Sequence, residues 1–139
     1  MPATEALTDQ LKREARAIGF DAVGIARVQP YPHADAFRAW LGRGMHGTMA
    51  YIPRSEEKRL DADKVVPGAR SIVSVAKLYR TQDIPDDLRD DRERGVIARY
   101  AWGDDYHDVM KEQLNELRAW LEERSAAPFD SRVYVDSGP

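Results

Sequence analysis

The stretch Ser71-Ile72-Val73-Ser74-Val75-Ala76 is rich in β-branched residues and nearly apolar on both of its alternating sets. That is the pattern of a central strand covered on each face, so it sets the expected middle of a sheet. Upstream, Phe20 to Val28 reads as another strand. Val23 and Ile25 fall on alternate positions, while Ala22, Gly24 and Ala26 leave one face flat enough for a helix to pack closely. Pro30 and Pro32 end it. Before this strand, Leu7, Leu11, Ala15 and Ile18 recur at helical spacing behind a Thr4 cap, and Gly19 supplies the left-handed residue that closes a helix.

Between the two strands, Ala36, Phe37, Trp40 and Leu41 predict a short amphipathic helix that stops at Gly42 and Gly44. From Met45 to Pro67 no strong period persists, and the stretch reads as short helical turns over a surface, a candidate lid or clamp. Beyond the central strand, Gln82 to Arg94 carries Pro85 and nine charged side chains among thirteen positions, which predicts a solvated loop. Gly95 to Ala101 is a further strand candidate, ending at Gly103 with Asp104 or Asp105 placed to cap a long helix. In that helix Tyr106, Val109, Met110, Gln113, Leu114, Leu117, Trp120 and Leu121 keep one stripe, with Lys111, Glu112, Glu116 and Arg118 turned outward. Pro128 breaks this pattern, and Arg132 to Asp136 reads as a final strand.

The 139 residues suit one domain with its own core. Apolar residues make up 42% and charged residues 32%, a globular balance. No apolar run approaches the ~20 residues of a membrane span, and the first residues lack the pattern of a signal peptide, so the expected setting is the cytoplasm with no membrane partner. The chain has no cysteine, which excludes disulfides and thiolate-held zinc or iron–sulfur sites within it. A net charge of −3 supplies no global attraction to nucleic acid.

Gly42-Arg43-Gly44-Met45-His46-Gly47 matches the dinucleotide fingerprint G-x-G-x-x-G. The context is wrong for it: a helix rather than a strand precedes the glycines, and no long helix comes after them. Helix termination and a loop are the expected use. His33, His46 and His107 lack the pairing of a metal cluster. Taken alone, His107 is a solvated residue in the first turn of the long helix, and Arg59 is a surface charge within Glu57-Lys58-Arg59-Leu60-Asp61. Asp136 stands at the expected end of a strand, before Ser137-Gly138-Pro139. A carboxylate there can cap a turn or aim into a crevice, where burial favours a protonated acid.

Four segments together resemble the amino-terminal region of the epoxyqueuosine reductase family. They are Gly44-Met45-His46-Gly47-Thr48-Met49-Ala50-Tyr51, Glu57-Lys58-Arg59-Leu60, Tyr100-Ala101-Trp102-Gly103-Asp104-Asp105-Tyr106-His107 and Val135-Asp136-Ser137-Gly138-Pro139. The resemblance implies an α+β fold with a mainly antiparallel sheet flanked by helices, a nitroreductase-like cobalamin-binding domain spanning residues 1–139. It implies reductive removal of the epoxide oxygen of epoxyqueuosine at the wobble position of tRNA, using cobalamin and two [4Fe-4S] clusters fed by an unidentified electron donor. Asp136 matches the family's proton donor, beside cobalt. Arg59 matches a position that contacts cobalamin, and Ala98 one that lines the corrin. Tyr106 and His107 complete an Asp-Tyr-His signature that faces cofactor or substrate.

The resemblance further places the family's cysteine-rich ferredoxin-like region and helical repeats beyond Pro139, so this segment is expected to be an incomplete domain and inactive alone. Two rivals stand beside this reading. One is a reductive dehalogenase-like cobalamin enzyme, against which the Asp-Tyr-His and Val-Asp-Ser-Gly-Pro segments count. The other is a non-catalytic module that binds tRNA or a protein partner, with Arg54, Lys58 and Arg59 as a local basic patch.

Overall fold

A computed structural model describes residues 6–80, 82–136 and 138. The chain divides into two compact units, Met1–Gly24 with Ser74–Arg124 and Ile25–Val73 with Ser125–Pro139. Helix α1 (Leu7–Ile18) opens the first unit, strands β1 (Ala22–Arg27) and β2 (Ser71–Ala76) run through both, and helix α6 (Tyr106–Arg124) closes the first. Helices α2 (Ala34–Gly42), α3 (Tyr51–Arg54) and α4 (Glu56–Leu60) belong to the second unit, and the single turn α5 (Asp86–Arg89) to the first.

The first unit is built on the end of α1. Gly19 at φ 112° lets its own N–H and that of Phe20 turn back to Arg16 O at 3.1 Å and Ala15 O at 3.0 Å, a Schellman closure. The carbonyls that remain at this helix end are met from two other elements. Gln113 of α6 donates its Nε2–H to Ile18 O at 2.8 Å, and Lys77, just past β2, donates Nζ–H to Gly19 O at 3.0 Å. The ammonium thereby sits against the negative end of the helix dipole. A side chain at residue 19 would come within 3.0 Å of Gln113 Nε2, so the close approach as well as the dihedral calls for glycine.

Among the described residues the buried apolar ones are Leu11, Ala15, Phe20 and Leu117, and all belong to this unit. Helices α1 and α6 pack against each other. The other members of the stripe expected on α6 are half-buried, and Lys111, Glu112, Glu116 and Arg118 are exposed. The period of 3.6 thus identified both faces of this helix.

The strands form an antiparallel pair. Asp21 N–H donates to Ala76 O at 2.9 Å in the first unit, and Val28 N–H donates to Arg70 O at 3.0 Å in the second. Asp21 also accepts from Leu78 N–H through Oδ2 at 2.6 Å, extending the pairing past the end of β2. The α+β class expected from the sequence therefore holds, with a small sheet of two strands among the described residues.

Three strand expectations are corrected. β2 forms where expected but is not covered on both faces, since Ile72 and Val73 are 48% and 36% exposed and only Val75 is half-buried. Residues 95–101 form no strand. They lead without regular structure into a 3₁₀ turn over Arg99–Ala101, with Val96 and Ile97 exposed. Residues 132–136 form no strand either, ending instead in a bend at Val135 and Asp136. The reason is common to all three: β-branched composition records suitability for a covered, paired surface, and pairing supplies the hydrogen bonds that make a strand. Among the described residues no third strand pairs with β2.

The expectations for the helical turns over 45–67 and the charged loop over 82–94 hold with small adjustments. The chain from 45 to 67 is a series of short helical turns, and the charged loop over 82–94 contains only the four-residue α5. The glycines of the 42–47 segment end α2 and turn the chain, Gly44 and Gly47 having φ 68° and 57°. Thr4, read as the cap of α1, lies outside the described residues, as do Ser137 and Pro139 of the expected terminal turn.

Candidate functional site

The five residues singled out from the sequence fall into two groups, Ala98, Tyr106 and His107 in the first unit and Arg59 and Asp136 in the second. Each group has its own geometry.

In the first unit, Asp105 caps α6. Its Oδ1 accepts from the backbone N–H of His107 at 2.9 Å and lies 2.9 Å from Nδ1 of the same imidazole. One carboxylate oxygen thus fixes the first helical turn and the orientation of the ring. These contacts hold the Asp105 carboxyl below the ordinary aspartate range, the backbone N–H contributing most and the imidazole next. Tyr106 stacks on the His107 ring at 4.1 Å and receives Tyr100 edge-on at 6.2 Å. Ala98 is exposed at the entry to the 3₁₀ turn and presents only a methyl group. Arg99, beside it, makes a 2.7 Å ion pair with Asp83.

In the second unit, Arg59 is held on α4 by its neighbours. Its Nε–H donates to Ser55 Oγ at 2.9 Å, and the Ser55 hydroxyl donates to Tyr51 O at 2.7 Å. The guanidinium lies 5.9 Å from the Tyr51 ring centroid. A polar depression lined by Pro53, Arg54, Ser55, Glu56, Glu57 and Lys58 adjoins this turn. Arg38 of α2 ties the start of the turn with a 3.1 Å bond to Glu56.

Asp136 has φ 34°, the single non-glycine residue of left-handed backbone among the described residues, and its side chain is exposed. Aspartate tolerates this conformation better than most residues, at a cost of order 1 kcal/mol. The loop is closed on the other side by Gly138, where a Cβ would collide with the Tyr134 ring. The curl that presents Asp136 therefore depends on glycine two residues later.

The sequence left the cap open between Asp104 and Asp105 and did not show Asp105 as the partner of His107, nor the Tyr51–Ser55–Arg59 clamp. The signals were the Asp-x-His spacing at a helix start and the i, i+4 spacing of Ser55 and Arg59.

The donor set has a clear chemical character. With no cysteine in the chain, a [4Fe-4S] cluster has no thiolate ligands here, and the described residues contain no group of three histidines or carboxylates able to hold a metal ion. A large organic cofactor is a different case. The Arg59 guanidinium, oriented through Nε, suits an amide or phosphate, and the exposed methyl of Ala98 suits a flat ring.

A helical framework with one antiparallel strand pair and these groups defines an α+β domain of the kind found in solved epoxyqueuosine reductases. A selenomethionine-labelled epoxyqueuosine reductase matches 85% of this chain, over 32% of its own, with a TM-score of 0.68 and 32% identity. An epoxyqueuosine reductase with an epoxyqueuosine-modified tRNA-Tyr stem loop matches 86% of this chain and 32% of its own at 0.68 and 31%. The same figures describe the enzyme of Bacillus subtilis, in a structure whose aspartate-bearing catalytic loop is swung out of the active site. In sequence, the epoxyqueuosine reductase of Cyclobacterium marinum is 39% identical over the whole of this chain and 44% of its own length. That of Gloeobacter violaceus is 38% identical over 94% of this chain and 39% of its own.

The family model for epoxyqueuosine reductase QueG, DUF1730, matches residues 59–137, more than half of the chain. The chain belongs to the epoxyqueuosine reductase family. It spans less than half the length of the curated relatives it matches.

Proposed function

We propose that this chain is the cobalamin-binding amino-terminal part of an epoxyqueuosine reductase acting on tRNA, with Asp136 as the acid. The observation that carries the reading is the family match over residues 59–137, a span that contains Arg59, Ala98, Tyr106, His107 and Asp136. The tRNA stem loop bound by one relative supports the substrate class, and the aspartate on the catalytic loop of another supports the role of Asp136.

Removal of the epoxide oxygen as water takes two electrons and two protons. Cobalamin, when bound, would supply the reducing chemistry. The residues of this chain do the remaining work. Arg59, oriented by Ser55, would hold the cofactor's periphery with its guanidinium. Ala98 keeps its stretch of backbone open to the flat ring. Asp136 would give a proton to the departing oxygen, and an apolar cofactor bound against its exposed side chain would favour the neutral, donating form. Tyr106 and His107, the latter oriented by Asp105, would face the cofactor or the modified base. Iron–sulfur clusters, whose thiolate ligands this chain lacks, would need ligands from outside it.

The test is Asp136→Asn in the complete gene product, since asparagine also accepts a left-handed backbone. Turnover on epoxyqueuosine-containing tRNA should fall by about 100-fold or more while cobalamin absorbance is retained. Equal turnover of variant and wild type would remove Asp136 from the mechanism. Arg59→Ala should weaken cobalamin retention in an absorbance titration, and unchanged affinity would remove Arg59 from the cofactor site.

A further inference from the structure

Arg80 and Arg99 converge on one carboxylate. Arg80 Nη2 lies 2.9 Å from Asp83 Oδ1 and 3.2 Å from Oδ2, and Arg99 Nη2 lies 2.7 Å from the same Oδ1. All three residues belong to the first unit. The two guanidiniums hold the Asp83 carboxyl below the ordinary aspartate range, Arg80 contributing most. Two planar cations sharing one oxygen, with one anionic charge between them, form a cradle that a phosphodiester fills at least as well as a carboxylate.

The cradle is partly rigid. Arg99 is only 27% exposed, its guanidinium lies 6.0 Å from the Trp102 ring centroid, and the Trp102 indole N–H donates to Ile97 O at 2.9 Å. Exposed aromatic rings flank it in the chain, Tyr79 at 62% and Tyr100 at 55%. Basic groups interleaved with exposed aromatic faces suit single-stranded RNA, whose bases stack while its phosphates pair. The residue that fills the cradle comes from the most acidic stretch of the chain, since Gln82 to Arg94 holds six carboxylates against three arginines. Of those arginines, Arg89 and Arg94 already pair within the stretch, with Asp86 and Asp91.

We propose that Arg80 and Arg99 are a phosphate-binding pair for the RNA substrate, and that Asp83 occupies it as an intramolecular stand-in until RNA displaces it. This deepens the proposed function and rests on it for the identity of the nucleic acid. Displacement exchanges one anion for another at a preformed site, so the loop over 82–94 tunes affinity without a change of fold.

The experiment measures binding of a fluorescein-labelled, unmodified tRNA anticodon stem loop to the complete gene product by anisotropy, across a salt series. Arg99→Ala and Arg80→Ala should each weaken binding by about 3- to 10-fold and reduce the magnitude of the log K against log salt slope by about 0.7–0.9. Asp83→Asn should act in the opposite direction, tightening binding by a similar factor. Arg99→Lys keeps the charge and should fall between wild type and Arg99→Ala, which separates loss of the contact from loss of the fold.

Weaker or unchanged binding by Asp83→Asn would overturn the proposal, because a purely structural ion pair loses function whichever partner is removed. Unchanged stem-loop affinity in Arg99→Ala, with weakened cobalamin uptake in a parallel absorbance titration, would assign the pair to the cofactor's phosphate and overturn the RNA assignment. Wild-type turnover on modified tRNA, with stem-loop affinity indifferent to all four variants, would sink this surface alone. Absence of both turnover and RNA binding in wild type would sink the proposed function with it.

Discussion

The helix pair of the first unit and the loops of the second hold their residues by different means. In the first, Leu11, Ala15, Phe20 and Leu117 are buried, and Gln113 and Lys77 satisfy the end of α1 from two other elements. In the second, the described residues include no buried apolar side chain, and Arg59 and Asp136 are positioned by local devices: a serine one helical turn away, a left-handed backbone and a glycine. One region holds its shape through burial; the other presents chemistry through hydrogen bonds and turn geometry. Substitutions should therefore divide into those that cost stability and those that cost activity.

The largest effect expected is that of Asp136→Asn, about 100-fold or more in turnover with a thermal midpoint unchanged from wild type in a calorimetric scan. A lowered midpoint would mean that Asp136 serves the fold, and the contrast between the regions would fail. Next is Leu117→Ala, which removes a buried side chain and should cost about 2–4 kcal/mol in denaturant unfolding. A cost below about 1 kcal/mol would show that the α1–α6 contact is not the core. Gly19→Ala should cost about 1–2 kcal/mol, from the φ of 112° and the crowding against Gln113. An unchanged unfolding midpoint would show that the closure of α1 adapts.

A smaller loss is expected from Asp105→Ala, which removes the cap of α6 and the partner of His107 together. Its pH dependence gives the sharper check. The folded-state pKa of Asp105 is depressed, so its contribution is fully present above the unfolded value near 3.8 and disappears as pH falls through the lower folded value. Wild type and Asp105→Ala should differ at neutral pH and converge under acid. A difference that persisted below that window would mean the contribution does not come from the carboxylate.

The sequence made the helices legible because their signals are local. The stripe from Tyr106 to Leu121, the Asp105 cap and the Gly19 closure are all set within a few residues of chain. β1 and β2 were legible as elements for the same reason. Residues 95–101 and 132–136 carried strand composition too, yet form none, because a strand exists only against a partner and composition does not supply one. The exposure of Ile72 and Val73 was hidden for the same reason, since apolar character states what a residue can cover and not what covers it.

At the site, resemblance led to Arg59, Ala98, Tyr106, His107 and Asp136, and all five lie within the residues that carry the family match. The partners were less accessible. Ser55 on Arg59 is a helical i, i+4 neighbour, whereas the Arg99 that meets Asp83 lies well along the chain from it, across a loop without period. The sequence by itself determined the long helices, the glycine closure of α1 and the family, because these depend on neighbours in the chain. Only the tertiary structure decided which apolar strands stay exposed, which carboxylate occupies the arginine pair and how Asp136 is turned outward, because those depend on contacts between residues that the chain order does not bring together.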